Sequence, residues 1–406
     1  MRFDSIIIGG GAAGLMAAVT AAESGRRVAI FEKNDRIGKK LRITGKGRCN
    51  VTNFCDIDEF MKNVPVNNRF LYSSFSGYTP EDVMEFFENA GVPLKVERGN
   101  RVFPVSDKAV DIVSAFDRKI KQLGIKLIRE KVTDLLIDDG VCCGIKTEKN
   151  EYNSETVLVA TGGASYPLTG STGDGYRFAQ KAGHTVTDIV PSLVPLEISE
   201  KFCSELNGLA LKNISLTLLE GEKKIFSDLG EMSFMHYGVT GPLVLTSSSR
   251  IRKTENGRYS LLLDLKPGLT PEKLDRRLQR DFTEMPNIEF RNILIKLLPS
   301  KLIPVIIKLS GIDAETKACQ ITRVQRNELV KLLKNIKLTI TGFRPVEEAI
   351  VTSGGVSIKE INPKTMESKL VSGLFFAGEV LDVDGYTGGF NLQIAFSTGH
   401  AAGMNL

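Results

Sequence analysis

The first forty residues alternate between short apolar runs and turn residues. Ile6, Ile7 and Ile8 run into three glycines, the next apolar stretch has helical spacing over 12–24, and a second apolar run covers 28–31. Short continuous apolar runs bounded by glycine are typical of strands buried on both faces of a parallel sheet. The pattern predicts a β-α-β opening and an α/β fold class.

The glycines of this opening have the spacing G-x-G-x-x-G, and Glu32 ends the second strand. In this motif the first glycine permits a tight turn, the second lets the backbone approach a pyrophosphate, and the third lets the helix pack close to the strand. The phosphates lie at the helix N-terminus, where free N–H groups and the helix dipole favour negative charge. Glu32 is expected to accept hydrogen bonds from a ribose. The residues expected to contact the dinucleotide here are Gly9, Gly11, Ala12, Ala13, Gly14 and Glu32.

The remaining pattern divides the chain into segments of different character. Helices are predicted over 80–90 and 108–123, and strands over 126–128, 132–137, 142–147 and 156–161. Short strands with turns between them then predict a β-rich insertion over 191–266, and helical spacing predicts a helical insertion over 267–340. Strand and glycine-rich patterns return afterwards. We therefore predict a Rossmann-like domain split in sequence, formed by residues 1–190 plus 341–406.

Composition agrees with a multidomain globular protein. With 406 residues, the chain exceeds what one hydrophobic core usually organises. It contains no run apolar enough to span a bilayer, and a strand starts too early to leave room for a signal peptide, so we expect a cytoplasmic protein without membrane association. Its six cysteines show no C-x-x-C or metal-ligand spacing, and its three histidines are far apart, so no metal site is expected.

Positive charge is concentrated in one segment. Residues 266–340 contain fifteen Lys or Arg against eight Asp or Glu, a net charge of +7, whereas the whole chain carries +5. Such a segment suits contact with a polyanion, but it is also compatible with an ordinary solvated helical surface.

The C-terminal segment distinguishes FAD from NAD, which share the opening motif. No second G-x-G-x-x-G follows a strand, so no separate nicotinamide domain is predicted. Instead, a strand runs into Gly378 and Glu379, and a glycine-rich turn precedes a helix predicted over 392–403. In FAD enzymes with this opening motif, such a carboxylate contacts the ribityl or phosphate part. The next helix directs its N-terminus at the flavin edge where reduction develops negative charge. This arrangement predicts FAD.

At residues 38–53 the chain resembles the signature of the BaiN/RdsA (YhiN-type) family of bacterial FAD-dependent oxidoreductases. The similarity continues through 236–242, 352–356 and 377–393, and it covers essentially the whole chain. Lys46 stands where family members often carry glycine. The resemblance implies a split FAD domain related to that of fumarate reductases.

The resemblance also implies further FAD contacts. Arg48, Cys49 and Asn50 would lie along the FAD near the flavin, the Val132 backbone would meet the adenine, and residues 161–162 would cover the dinucleotide. The full set of implied contacts is Lys33, Lys40, Arg48, Cys49, Asn50, Val132, Thr161, Gly162, Gly378, Glu379, Gly389, Asn391, Leu392 and Gln393.

The family joins two reductions that pose one chemical problem. One acts on a C=C bond conjugated to a ketone in bile-acid intermediates, and the other reduces uracil in ribosomal RNA to dihydrouridine, where C5=C6 is conjugated to the C4 carbonyl. We expect hydride transfer from flavin N5, with NAD(P)H as a transient donor. The basic insertion favours ribosomal RNA as the substrate, and a small-molecule enone is the alternative. A flavin monooxygenase and a non-catalytic or folate-dependent RNA-modifying flavoprotein are further alternatives.

Four residues are considered for proton transfer or substrate binding. Cys49, beside Arg48, is either a proton donor, a thiolate of lowered pKa or a packed small residue. Tyr386 is either a donor or a ring that covers the cofactor. His236 is either an acid or a structural hydrogen-bonding residue, and Arg344 either holds substrate or forms a surface ion pair.

Overall fold

The computed structural model describes residues 2–251, 255 and 257–406, and it divides into two compact units. Residues up to Ser192 together with Pro345–Leu406 form one unit, here called the parallel-sheet unit. Leu193–Arg344 form the other, here called the barrel unit. The two insertions predicted over 191–266 and 267–340 therefore fall largely within a single unit. Residues 1, 252–254 and 256 of the predicted domains lie outside the described residues.

The secondary-structure elements follow in chain order. The first part of the parallel-sheet unit contains β1 (Arg2–Ile8), α1 (Ala12–Glu23), β2 (Val28–Phe31), α2 (Lys39–Ile43), β3 (Thr52–Asn53), α3 (Ile57–Lys62), α4 (Tyr72–Gly77), α5 (Pro80–Asn89), β4 (Leu94–Glu97), β5 (Arg101–Pro104), α6 (Ala109–Gln122), β6 (Lys126–Ile128), β7 (Val132–Asp138), β8 (Val141–Thr147), β9 (Glu151–Val159), α7 (Asp174–Lys181) and β10 (Val190–Ser192). The barrel unit contains β11 (Leu196–Ile198), α8 (Phe202–Glu205), β12 (Ala210–Glu220), β13 (Lys223–Met235), β14 (Gly238–Thr240), α9 (Pro242–Ser248), β15 (Tyr259–Asp264), α10 (Pro271–Glu284), α11 (Phe290–Leu294), α12 (Ile303–Ser310), α13 (Arg323–Lys334) and β16 (Ile336–Phe343). The chain ends with β17 (Val351–Ser353), β18 (Leu374–Phe376) and α14 (Phe390–Gly403).

The main sheet of the parallel-sheet unit has the strand order β6-β2-β1-β9-β8-β7, and β18 also pairs with β9. The strands β6, β2, β1, β9 and β18 run parallel, whereas β8 pairs antiparallel with both β9 and β7. Ile8 is in register with both Phe31 and Val159, and Phe376 is also in register with Val159. The carboxyl ends of β1, β2, β9 and β18 therefore meet at one edge of the sheet.

The core of this unit is formed by the apolar strands and by the helices that cover them. Ile7, Leu158 and Phe376 are fully buried, as are Leu15 on α1 and Phe396 on α14. The helices α1 and α14 pack against each other. Two helices are thereby held beside the same sheet.

The barrel unit is built on a closed sheet with the order β11-β14-β13-β12-β15-β16. Leu216 and Leu338 from its strands are fully buried in one cluster with Leu274, Phe290 and Leu329 from the helices. Because the strands and helices share this core, the helical segment is part of the barrel unit. The last strand, β16, also begins within the segment predicted to be helical.

The longest helices of the structure, α6, α10 and α14, have 14 residues each. No helix in the described part is long and apolar enough to cross a membrane. The described residues also contain no group of three His, Cys, Asp or Glu side chains positioned to hold a metal ion.

Candidate functional site

Four loops meet at the carboxyl edge of the parallel sheet. Residues 9–11 follow β1, Glu32 follows β2, residues 160–163 follow β9, and residues 377–379 follow β18. Because the ends of these strands are in register, the sheet brings together residues that are distant in sequence. Crevices beyond the carboxyl ends of parallel strands are the usual ligand sites of such sheets.

The first loop leaves space beside the start of α1. Gly9 has φ +110°, and a Cβ placed on it would lie 2.5 Å from the carbonyl oxygen of Ala160. At Gly11 an added Cβ meets no atom of the described residues within 4 Å. Among these residues no side chain caps α1, and its first turn contains no acidic residue. The open space and the uncapped N–H groups fit a pyrophosphate.

The Glu32 carboxylate is buried and fixed by three N–H groups. Its Oε2 accepts a hydrogen bond from the Gly10 backbone at 2.9 Å, and its Oε1 accepts from the backbone and side-chain nitrogens of Asn34, both at 2.8 Å. An ionised carboxylate has about four acceptor positions, so about one remains for a ribose hydroxyl. The geometry fits the role expected of Glu32.

A half-buried ion pair connects the loop after β18 to α2, and Ser165, two residues beyond the loop after β9, also contacts it. The Lys40 Nζ lies 2.6 Å from Glu379 Oε2 and 2.7 Å from Ser165 Oγ, and the Glu379 Oε1 accepts a hydrogen bond from the Thr352 backbone at 2.9 Å. Nothing in the sequence singled out Ser165, because only the folded topology brings it to Lys40 and Glu379.

A second helix begins in the same unit without a side-chain cap from the described residues. The α14 helix starts at Phe390, two residues before the predicted start, and follows Gly389 at φ +103°. A Cβ at Gly389 would lie 2.4 Å from the backbone of Thr52, so only glycine fits this turn. The Asn391 side chain accepts from the Gly385 N–H at 2.8 Å and donates to the Gly385 carbonyl at 2.7 Å, so it braces the turn before the helix.

The Gln393 side chain, which we expect beside the flavin, is buried and held by several hydrogen bonds. It is 1% exposed and donates to the Tyr78 carbonyl at 2.9 Å and to Ser397 at 3.0 Å, while Thr52 donates to it at 2.5 Å. Ser397 lies one turn further along the same helix, which places Gln393 on the buried face of α14. The side chain of the neighbouring Leu392 is half-buried against the core.

The turn at 48–50 contains a neutral cysteine. Cys49 is fully buried at φ +60°, and burial raises the pKa of its thiol to about 12. The expectation of a thiolate with a lowered pKa is therefore wrong. The neighbouring Arg48 guanidinium lies 2.5 Å from Glu97 and 2.6 Å from Asp107, so its charge is already balanced.

Two buried acceptors in the expected cofactor residues have no hydrogen-bond partner among the described residues. They are Oδ1 of Asn50 and Oγ1 of Thr161. Because buried polar atoms are normally paired, these two fit contact with a bound polar group. Gly162 follows at φ +73°.

The other expected residues have defined neighbours. Lys33 Nζ lies 2.5 Å from Asp174 and 2.6 Å from Thr172, and Val132 is buried at the start of β7. Tyr386 is 8% exposed and lies in the turn that precedes α14.

The two remaining expected residues, His236 and Arg344, belong to the barrel unit. Arg344 pairs with Glu197 at 3.1 Å, and its guanidinium lies 4.5 Å from the ring centre of Tyr237. His236 is exposed, with its ring 4.9 Å from that of Tyr237.

A family described as the HI0933-like protein Rossmann domain matches residues 3–405. The chain belongs to this HI0933-like family. The resemblance inferred from the sequence and the predicted α/β fold with a Rossmann-like domain are thereby confirmed.

Two curated relatives of this HI0933-like protein match over nearly their whole length. The 3-dehydro-bile acid delta(4,6)-reductase of Clostridium scindens is 32% identical over 402 residues, which cover 98% of this chain and 97% of that protein. The ribosomal RNA dihydrouridine synthase of Haemophilus influenzae is 32% identical over 414 residues, which cover 99% and 98%. The names of both relatives support the prediction of an oxidoreductase.

Among solved structures, the 3-ketosteroid delta1-dehydrogenase of Sterolibacterium denitrificans, in complex with 1,4-androstadiene-3,17-dione, covers 99% of this HI0933-like chain. The match also covers 99% of that protein, with a TM-score of 0.52 and 13% identity. At this identity the likeness shows a shared fold alone.

Proposed function

We propose that the protein is an FAD-dependent oxidoreductase that reduces a C=C bond conjugated to a carbonyl. The observation that carries this proposal is the pair of uncapped helix starts, α1 and α14, in a unit whose parallel strands also present Glu32 and Glu379. The first helix suits the pyrophosphate and the second suits a ring that becomes negatively charged on reduction. When bound and reduced by NAD(P)H, FAD would supply a hydride from N5.

The residues of this chain have separate roles in this proposal. The space at Gly11 and the N–H groups of α1 bind the phosphates, and Glu32 orients the adenosine ribose. Lys40 offsets the charge of Glu379, so that this carboxylate adds little repulsion toward a reduced flavin. The N–H groups of α14 stabilise negative charge that develops nearby.

We assign proton donation to Tyr386 rather than Cys49. A thiol with a pKa of about 12 in a fully buried position is poorly matched to proton transfer at neutral pH. Tyr386 lies in the turn directly before α14, where the flavin ring is expected. The Asn391 side chain donates to the backbone carbonyl of Tyr386 at 3.3 Å and so fixes this turn. We propose NAD(P)H as the reductant. Because the sequence has no second dinucleotide motif, we expect it to bind only transiently.

For the substrate we propose uracil in ribosomal RNA. The name of the H. influenzae relative and the excess of positive charge over 266–340 support it. A small-molecule enone is the second candidate, and the name of the C. scindens relative supports it.

The test is a single turnover without oxygen. The purified protein is reduced and mixed with ribosomal RNA from a strain that lacks the gene, while flavin absorbance and the mass of each uridine are followed. We expect reoxidation coupled to the gain of two hydrogen atoms on uridine. RNA that already carries the modification is the control, since it should leave the flavin reduced.

Other outcomes would replace the proposal. Reoxidation by a steroid-like enone but not by RNA would favour the small-molecule reductase. Rapid oxygen consumption with a hydroxylated product would indicate a monooxygenase. A flavin that no unsaturated carbonyl reoxidises would overturn the reductase proposal itself.

A further inference from the structure

One face of α10 is basic along most of its length. Four residues at the spacing i, i+3, i+4 and i+7 share that face: Lys273, Arg276, Arg277 and Arg280. Residues at this spacing lie on the same side of a helix. With a rise of about 1.5 Å per residue, the four charges extend over about 10 Å. Leu274, Leu278 and Phe282 of the same helix are buried in the core of the barrel unit.

Two further lysines lie close to this helix. The guanidinium Nη2 of Arg277 lies 3.4 Å from the carbonyl oxygen of Lys296, and the Lys296 Nζ lies 3.1 Å from the Met285 sulfur at the end of α10. Burial, together with the positive charge of Arg277, lowers the pKa of Lys266. We call the six residues the α10 basic face: Lys266, Lys273, Arg276, Arg277, Arg280 and Lys296.

Nearby carboxylates balance this charge only in part. Asp281 is buried and lies 3.8 Å from Arg277 and 3.5 Å from Arg280, and Glu284 lies 3.9 Å from Arg280. The four other members of the face have no carboxylate oxygen within 4.0 Å in the described part of the chain, although Glu272 lies one turn before Arg276. The fourth acid of α10, Asp275, pairs with Arg326 instead, so the six cations have three carboxylates near them and the face keeps a net positive charge.

We propose that the α10 basic face binds the phosphate backbone of the RNA substrate; this rests on the proposed function. Phosphates relieve the repulsion within the face, and Lys and Arg are the side chains that make such contacts. A lipid surface fits less well, because an interfacial helix inserts its apolar face into the bilayer and the apolar face of α10 is buried in the unit's own core.

The test compares two triple variants of the FAD-loaded protein. The first, K273Q/R276Q/K296Q, removes three charges from the face and leaves Arg277 and Arg280, which accompany the buried Asp281. The matched control, K62Q/K121Q/K146Q, removes the same charge from exposed lysines that pair with acids outside the 266–340 segment. Affinity for a ribosomal RNA fragment is measured between about 50 and 300 mM salt, since each phosphate contact adds about one unit to the salt slope.

We expect the slope of log affinity against log salt to fall by about two to three units in the first variant and to stay at the wild-type value in the control. Reoxidation of the reduced flavin by a small enone should be the same in all three proteins. An unchanged slope in the first variant, with RNA still reduced, would overturn the assignment of this face while the proposed function stands. Wild-type protein that neither binds nor reduces RNA would overturn both. Binding of anionic phosphatidylserine vesicles in place of RNA would show that this face has a membrane partner instead.

Discussion

At the scale of single residues, Gly11 at the start of α1 should matter for cofactor binding but not for folding. A methyl group at Gly11 would meet no described atom within 4 Å, and the residue has φ −91°, which any amino acid adopts. Gly11→Ala should therefore fold normally but occupy the space proposed for the pyrophosphate. We expect the apoprotein to keep its melting temperature while FAD affinity falls by about tenfold or more, roughly 1.4 kcal/mol, measured by fluorescence titration.

The matched comparison is Gly14→Ala. A Cβ there would lie 2.0 Å from the Gly9 carbonyl oxygen, so the apoprotein itself should lose about 1–3 kcal/mol of stability or more. If both variants lost FAD and stability together, Gly11 would have a structural role rather than a binding role.

Cys49 should be dispensable for chemistry. Its thiol is buried with a pKa of about 12, so no thiolate forms near neutral pH. Cys49→Ala should retain hydride transfer to within about threefold, whereas loss of a general acid would cost about 100-fold or more. Stopped-flow flavin reoxidation measures the rate, and resistance of the wild-type thiol to alkylation in the folded protein provides an independent check.

Tyr386→Phe should have the opposite result. The ring keeps its volume in the turn before α14, so FAD should bind as before, while loss of the phenolic proton should slow product formation by about 100-fold or more. The rate is measured with saturating substrate, and the flavin spectrum reports whether the cofactor is held normally. An unchanged rate would exclude Tyr386 as the donor.

The sequence predicts the site residues unevenly. Gly9, Gly11 and Glu32 follow from local spacing, because a turn, a helix start and a strand end are all fixed within a short segment. The direction of the Gln393 side chain depends on Tyr78, which is 315 residues away. No local pattern contains that contact.

At the scale of elements, a buried histidine joins α7 to the segment before β18. The His184 Nε2 lies 2.8 Å from Ser368 Oγ, and its Nδ1 lies 3.1 Å from Glu360 Oε2. Ser368 Oγ also accepts the backbone N–H groups of Leu370 and Val371. A carboxylate can only accept, so Nδ1 carries a proton; Ser368 Oγ already accepts two N–H groups, so its hydroxyl donates to Nε2 and the histidine is neutral. The order Ser368, His184, Glu360 resembles a catalytic triad. The N–H groups of Leu370 and Val371, however, hold the serine hydroxyl in a structural turn.

This contact predicts a pH dependence of stability. Burial lowers the pKa of His184, so on acidification the unfolded chain takes up a proton before the folded chain does. The contribution of the neutral histidine is therefore present at about pH 8 and is lost as the pH falls below its usual value of about 6.5. At pH 8, His184→Gln should be less stable than wild type by about 1–3 kcal/mol.

The measurement is the difference in melting temperature between wild type and His184→Gln from about pH 8 to pH 5. We expect the difference to shrink toward pH 5, because only the wild type loses stability through this residue. A difference that stays constant with pH would show that His184 does not titrate in this range.

The sequence predicts the ends of the helices and buried strands closely, but it does not predict the full length of the long barrel strands. The α5 and α6 helices end within one residue of the prediction, and β6 matches it. The β13 strand runs from Lys223 to Met235, although its middle at 227–231 has no strand pattern. Pairing with β12 extends it through polar, exposed residues. Local patterning does not report stabilisation by a neighbouring strand.

At the scale of the whole molecule, the basic segment 266–340 does not coincide with a separate hydrophobic core. The +7 segment looks separate in composition, but its helices share a hydrophobic core with the barrel strands. Because Leu274 and Leu278 are buried in this core, the basic residues of α10 lie on its opposite face. Long-range contacts of this kind cannot be derived from composition.

One measurement decides most directly whether this protein is a flavoenzyme. The wild-type chain is purified, its bound cofactor is released by heat, and the cofactor is identified by its absorbance spectrum and mass. We predict FAD at about one molecule per chain, with affinity that depends on Gly11. A protein that binds neither FAD as purified nor added FAD would contradict the assignment of the carboxyl edge of the sheet as a flavin dinucleotide site.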